Sequence, residues 1–211
     1  MRPEDAYPKG WKRWRKGMKA LSVRIMVAAA LFGSTSCVPD WAKDGEAQVV
    51  LLMTGINDGA PLDSDVQTST GTVCPDSVAL RVENHFKNPG VTNTGFRHDI
   101  TIERYEVHYF RSDGRRVEGV DVPFSFSGNV AQEVLEDGAA TLALEVVRRQ
   151  AKLEPPLMNL RFGGGSLIVT MFAEVTLHAR TTTGVTTNPA TARLQVDFAD
   201  FADQDEECPT Q

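Results

Sequence analysis

The sequence predicts an all-β fold: a single antiparallel β-sandwich of about seven strands, preceded by a signal segment. Three observations carry this. Apolar residues recur at every second position in one run after another. Clusters of Gly, Pro, Asn and Asp separate the runs. Nothing after residue 36 combines a helical apolar period with end caps.

The chain opens with Lys9, Lys12, Arg13, Arg15, Lys16 and Lys19, then the apolar stretch "IMVAAALFG" from Ile25 to Gly33, then the small residues Ser34, Thr35 and Ser36 before Cys37. A basic region, a short apolar core and a small-residue exit are the parts of a secretory signal. The apolar core is far shorter than the ~20 residues of a membrane-spanning helix. The reading is therefore a signal peptide over 1–36, a tether over 37–47, a sandwich domain over 48–203 and an acidic tail over 204–211.

The strands follow in order. "QVVLLMTGI" (48–56) is a continuous apolar run. "SVALRVENHF" (77–86) alternates, with Val78, Leu80, Val82 and Phe86 on one face. "DITIERYEVHY" (99–109) starts on Ile100 and Ile102, then changes parity to Tyr105, Val107 and Tyr109. One extra residue flips the faces, so a bulge is expected near Glu103 and Arg104. "GVDVPFSF" (119–126) alternates through Val120, Val122, Phe124 and Phe126, and Pro123 makes it an edge. "ATLALEVV" (140–147), "SLIVTMFAEVTLHA" (166–179, Leu167 to Ala179 inward) and "TARLQVDF" (191–198) complete the set.

The arrangement resembles an immunoglobulin-like or fibronectin-III-like sandwich, without the Cys–Trp–Cys spacing of antibody domains. The exit "LFGSTSC" (31–37) resembles a bacterial lipoprotein signal, which implies lipid attachment at Cys37 and a membrane anchor. Ser34 and Ser36 also suit an ordinary cut, which gives a secreted or periplasmic soluble protein. The phrases "INDGAPL", "ERYEVHYFRSDGRRVEGVDVPF", "RRQAKLEPPL" and "DFADF" are similar to those of uncharacterised bacterial exported lipoproteins. That resemblance implies an envelope location and brings no activity.

There are three cysteines. Acylation of Cys37 leaves Cys74 and Cys208, which either bridge in an oxidising compartment or remain free thiols. Residues 1–36 hold eight of the 22 Lys and Arg and two of the 28 Asp and Glu, so the remainder carries a net charge of −12. Such a surface repels phosphate, and nucleic acid is not an expected partner.

"RSDGRR" (111–116) is a turn signal, with type I′ geometry expected at Asp113-Gly114. Arg111, Asp113, Arg115 and Arg116 form a candidate binding tip for a carboxylate or phosphate. The alternative is a solvated turn whose arginines pair with Glu103, Glu106 or Glu118. Asp58, Asp63 and Asp65 are weak calcium candidates, lacking EF-hand spacing. His85, His98, His108 and His178 show no zinc spacing, "FGGGS" (162–166) lacks the Lys and helix of a phosphate loop, and no nucleophile elbow is present. Tyr105, Tyr109, Phe110, Phe124 and Phe126 are expected in the core, with Tyr109 and Phe110 as the residues that decide between core and binding patch.

The function expected is a non-catalytic, envelope-anchored interaction or structural module with no required cofactor, held to the membrane through Cys37 and with an envelope protein as candidate partner. A small-ligand or calcium-binding exported protein is the alternative, and a metal-dependent hydrolase ranks last.

Overall fold

The computed structural model describes residues 47–88, 90, 98–163, 167–201 and 208. The signal segment, Cys37, most of the tether and the tail other than Cys208 lie outside the described residues.

The fold is all-β. Its described strands are β1 (Val49–Ile56), β2 (Leu62–Asp65), β3 (Asp76–Phe86), β4 (Ile100–Arg111), β5 (Phe126–Val134), β6 (Ala139–Val147), β7 (Val169–Thr181) and β8 (Ala190–Ala199). They form a three-stranded sheet in the order β1-β3-β6 and a five-stranded sheet in the order β2-β8-β7-β4-β5. Both sheets feed one apolar core, drawn from alternate residues such as Leu80, Val82, Ile100, Val107, Val175, Leu177 and Val196. Burial of alternate positions is what a sheet with one covered face requires.

The parity change in β4 is a bulge, as its sequence predicts. The register of β4 against both β5 and β7 shifts between Ile102 and Arg104, and Ile102 and Tyr105 both face inward. Tyr105, Tyr109 and Phe126 belong to the core, and the Tyr109 hydroxyl donates to the Val146 carbonyl across the two sheets. Burial pushes the Tyr109 phenol well above its usual range.

Four expectations are corrected. First, 119–125 is not a strand, and of the expected run only Phe126 joins one, at the start of β5. The Val117 carbonyl accepts N–H bonds from Val120, Asp121 and Val122, and Gly119 takes φ 72°. This closed turn buries Val122 and leaves Val120 and Phe124 exposed. Second, the edge strand lies just downstream, at β5, where apolar residues are too sparse for a period-two signal. Its Gly128 is opposite Tyr105, whose ring fills the space a side chain would take. Third, the short polar β2 pairs with β8 in parallel, so the five-stranded sheet is not wholly antiparallel. Fourth, β7 starts at Val169, and Leu167 is exposed rather than inward.

A Cβ on Gly128 would lie 2.3 Å from Tyr105 Cε1. Gly128→Ala is therefore expected to destabilise by about 1–3 kcal/mol through overpacking. Urea unfolding checks this, and Gly128→Ala/Tyr105→Leu should recover part of the loss if the ring is the cause.

The register defines two ends of the domain. At the entry end, Val49 pairs with Phe86 and Ile100 with Thr181, and the chain arrives through Ala47 and Gln48. At the far end, Asp76 pairs with Val147 and Arg111 with Met171.

Candidate functional site

The candidate tip stands at the far end, where β4 leaves the sheet. Arg111 and Arg115 close a three-residue loop, with the Arg111 N–H donating to the Arg115 carbonyl at 2.9 Å. Gly114 takes φ 85° and Asp113 does not join it in the left-handed region. The loop is thus a type I turn ending in a left-handed glycine, not the expected type I′ turn. Asp113 accepts from the Arg115 N–H at 3.1 Å and from its Nε at 2.7 Å. Those bonds, the backbone one foremost, hold the Asp113 carboxyl below its usual range. Arg115 also reaches Asp121, at 3.4 Å.

The carboxylates expected to neutralise the tip are occupied elsewhere. Glu103 pairs with Arg180, and Glu106 with Arg104 at 3.0 Å. Glu118 accepts the Ser125 N–H at 3.0 Å, and Ser125 is the main cause of its lowered pKa. Among the described residues, Arg111 and Arg116 form no ion pair.

Beside the tip, Phe110 on β4 faces outward and stacks on its cross-strand neighbour Phe172, with ring centroids 5.4 Å apart and planes at 21°. The Arg116 guanidinium lies 5.9 Å from the Phe110 centroid and that of Arg193 lies 5.2 Å from it. Arg193 is oriented by Glu174, 2.8 Å away on the adjacent strand. Phe110, Arg111, Arg116, Glu118, Glu174 and Arg193 line one groove of about 430 Å³, with His108 at its side. Arg115 is not among the lining residues.

No protein-family model matches the chain, and no curated protein matches it. Two solved structures are similar to it at low scores. One is described as a late embryogenesis abundant (LEA) protein; it is 12% identical, with 89% of this chain and 88% of that one covered and a TM-score of 0.39. The other is a structural-genomics target, 7% identical, with 77% and 93% covered and a TM-score of 0.32. At these scores neither carries an argument, and the site is interpreted from its own residues.

A second polar cluster lies beneath the far end, and sequence reasoning missed it. Lys152, in the one-turn helix Arg149–Lys152, is 1% exposed. Its Nζ is 2.8 Å from Asp76 Oδ2 and donates to the Asp65 carbonyl at 2.7 Å. Ser64, also buried, donates to the same Asp76 oxygen at 2.5 Å. Burial raises the Asp76 pKa, with Lys152 and Ser64 acting against it. "RRQAKLE" reads as a solvated basic stretch, and no local signal marks one of its cations as buried. The cluster fastens the helix and β2 to the start of β3. With Ser64 and Lys152 buried, it is a structural clamp and offers no open groove.

Cys74 and Cys208 are joined, with Sγ atoms 2.09 Å and Cα atoms 5.3 Å apart. The bond ties residue 208 to the segment before β3, at the far end.

The calcium candidates do not converge. Asp58 lies in the Asn57–Gly59 turn, Asp63 is exposed opposite Asp197 in the β2–β8 pairing, and an Asp65 oxygen accepts the Phe201 N–H at 2.9 Å. Asp197 accepts from Thr170 at 2.5 Å and from Gln195 at 2.9 Å. No group of three metal-ligating side chains exists among the described residues. His108 and His178 flank Glu106 at 3.7 and 3.5 Å on the outer sheet face, and His98 is buried edge-on to Phe86.

Proposed function

We propose that this chain is a non-catalytic binding module of the bacterial envelope, exported through residues 1–36, lipid-anchored at Cys37 and binding a partner through its far-end loops. The immunoglobulin-like character of the domain is part of the same proposal, supported by two sheets around one core.

The observation that carries it is the polarity of the domain's surface. Eight large apolar residues are exposed among those described. Leu135 is at the entry end. The other seven belong to the two far-end connections: Val117, Val120 and Phe124 between β4 and β5, and Met158, Phe162, Leu167 and Ile168 between β6 and β7. Concentrated exposed apolar surface marks a contact region. The loops at one end of a rigid two-sheet scaffold are well suited to binding.

The test is the intact mass and fractionation of the natural protein. The expected result is a membrane-bound chain beginning at Cys37 with added lipid mass, and release of the Cys37→Ser variant from the membrane. A cytosolic chain still carrying residues 1–36 overturns the reading.

A further inference from the structure

We propose that the groove at the hairpin tip is a binding site for a monoanionic carboxylate carried on an apolar body, seated with its carboxylate between Arg111 and Arg116 and its carbon skeleton against Phe110, whose ring Phe172 supports by stacking. The proposal stands whether or not the chain is exported, so the failure of either reading leaves the other intact.

Three features define the ligand. The first is an available pair of cations. Arg115 is held by Asp113 and Asp121, and Arg193 by Glu174, whereas Arg111 and Arg116 form no ion pair among the described residues. Arg116 is already positioned over the Phe110 ring. An ordered guanidinium loses little freedom when it binds, and its planar fork matches a carboxylate.

The second is net charge. Arg111, Arg116 and Arg193 line the groove with Glu118 and Glu174, so the arginines outnumber the carboxylates by one. One negative charge is balanced there. A phosphate dianion meets two carboxylates at the rim, and like-charge approach is penalised in a partly enclosed groove.

The third is the floor. Phe110 and Phe172 stack on the outer face of the sheet, half-buried, where polar residues are the rule for a solvated face. An aromatic floor contributes by covering apolar surface, which bare acetate or phosphate lacks. A groove of about 430 Å³ is in the size range of small-ligand sites. The same chemistry is presented by a free aromatic carboxylate and by a peptide ending in an apolar residue.

The test titrates the full chain with 3-phenylpropionate, following the amide resonances of Ser112 and Gly114. Saturable shifts are expected, with affinity lowered by about tenfold or more in Arg116→Gln and in Arg111→Gln at unchanged melting temperature. The uncharged 3-phenylpropionamide should lose a similar factor, and this comparison needs no variant to fold. Inorganic phosphate should bind more weakly than the carboxylate. A peptide with a free C-terminal Phe that binds tighter than 3-phenylpropionate assigns the site to a peptide end, and equal or weaker binding assigns it to a small carboxylate. Absence of saturable shifts, phosphate binding as tight as the carboxylate, or an amide that binds equally well overturns the proposal.

Discussion

Lys152→Met is expected to lower the stability of the domain by about 3–5 kcal/mol, because it leaves the carboxylate of Asp76, 18% exposed, without its cation. The partner distances are short on all sides: 2.8 Å from Nζ to Asp76, 2.7 Å to the Asp65 carbonyl and 2.5 Å from Ser64 to Asp76. Met has nearly the volume of Lys, so packing is little changed and electrostatics dominates the loss. The double variant Asp76→Asn/Lys152→Met should lose less than the two single losses summed, since the groups interact directly. Chemical denaturation of the four proteins measures this, and an additive cycle would count against the clamp.

The same pair has a pH signature. Burial raises the Asp76 pKa above its usual value of 3.8. The folded state then binds this proton more readily than the unfolded state. The contribution of Asp76 is fully present below 3.8 and is lost as pH rises through the folded value. The stability of the unsubstituted protein relative to Asp76→Asn should therefore grow on acidification through that window. A difference that stays flat or shrinks contradicts the assignment.

Loss of the Cys74–Cys208 bond is the second large effect. The bonded residues are 134 apart in sequence. In the chain-entropy model a closed loop of this size stabilises by about 5 kcal/mol, through restriction of the unfolded chain. Domains of this size have a total stability of about 5–15 kcal/mol, so the loss would be a large fraction of the whole. Cys208→Ser and chemical reduction should lower the melting temperature by similar amounts, and reduction should have no further effect on the variant. A melting temperature indifferent to reductant would mean that the two sulfurs are not bonded in the protein as isolated.

Much of the fold is legible because strand patterning is local. Six of the described strands coincide with expected runs, five alternating and β1 continuously apolar, and the β4 bulge shows as a change of parity between Ile102 and Tyr105. The errors have local causes too. Val120, Val122, Phe124 and Phe126 alternate as a strand does, yet Gly119 at positive φ and three N–H bonds to the Val117 carbonyl close that segment into a turn. Strand β5 escapes notice because Tyr105 supplies, from the neighbouring strand, the apolar bulk that Gly128 lacks. Strand β2 escapes because four residues with two aspartates read as loop, and only β8 beside it gives it a ladder.

The site divides in the same way. A turn at Asp113-Gly114 with crowded arginines is written in adjacent residues. Arg115 meets its carboxylates, Asp113 and Asp121, within the same connection, but Glu174 reaches Arg193 and Phe172 reaches Phe110 from the neighbouring strand β7, and no local signal shows that. Phe110 and Tyr109 are neighbours in sequence and opposite in direction, the Phe110 ring outward against Phe172 and the Tyr109 hydroxyl bonded to Val146 in the core.

The sequence by itself determined the β class, most strand positions, the bulge and the placing of charged turns, because each depends on residues within a few positions of one another. The tertiary structure alone decided the parallel β2–β8 pairing, the Lys152–Asp76–Ser64 clamp, the stacked Phe110–Phe172 pair and the gathering of exposed apolar residues at one end. Those depend on which strands become neighbours, and that is settled by the packing of the whole core, which no local pattern encodes.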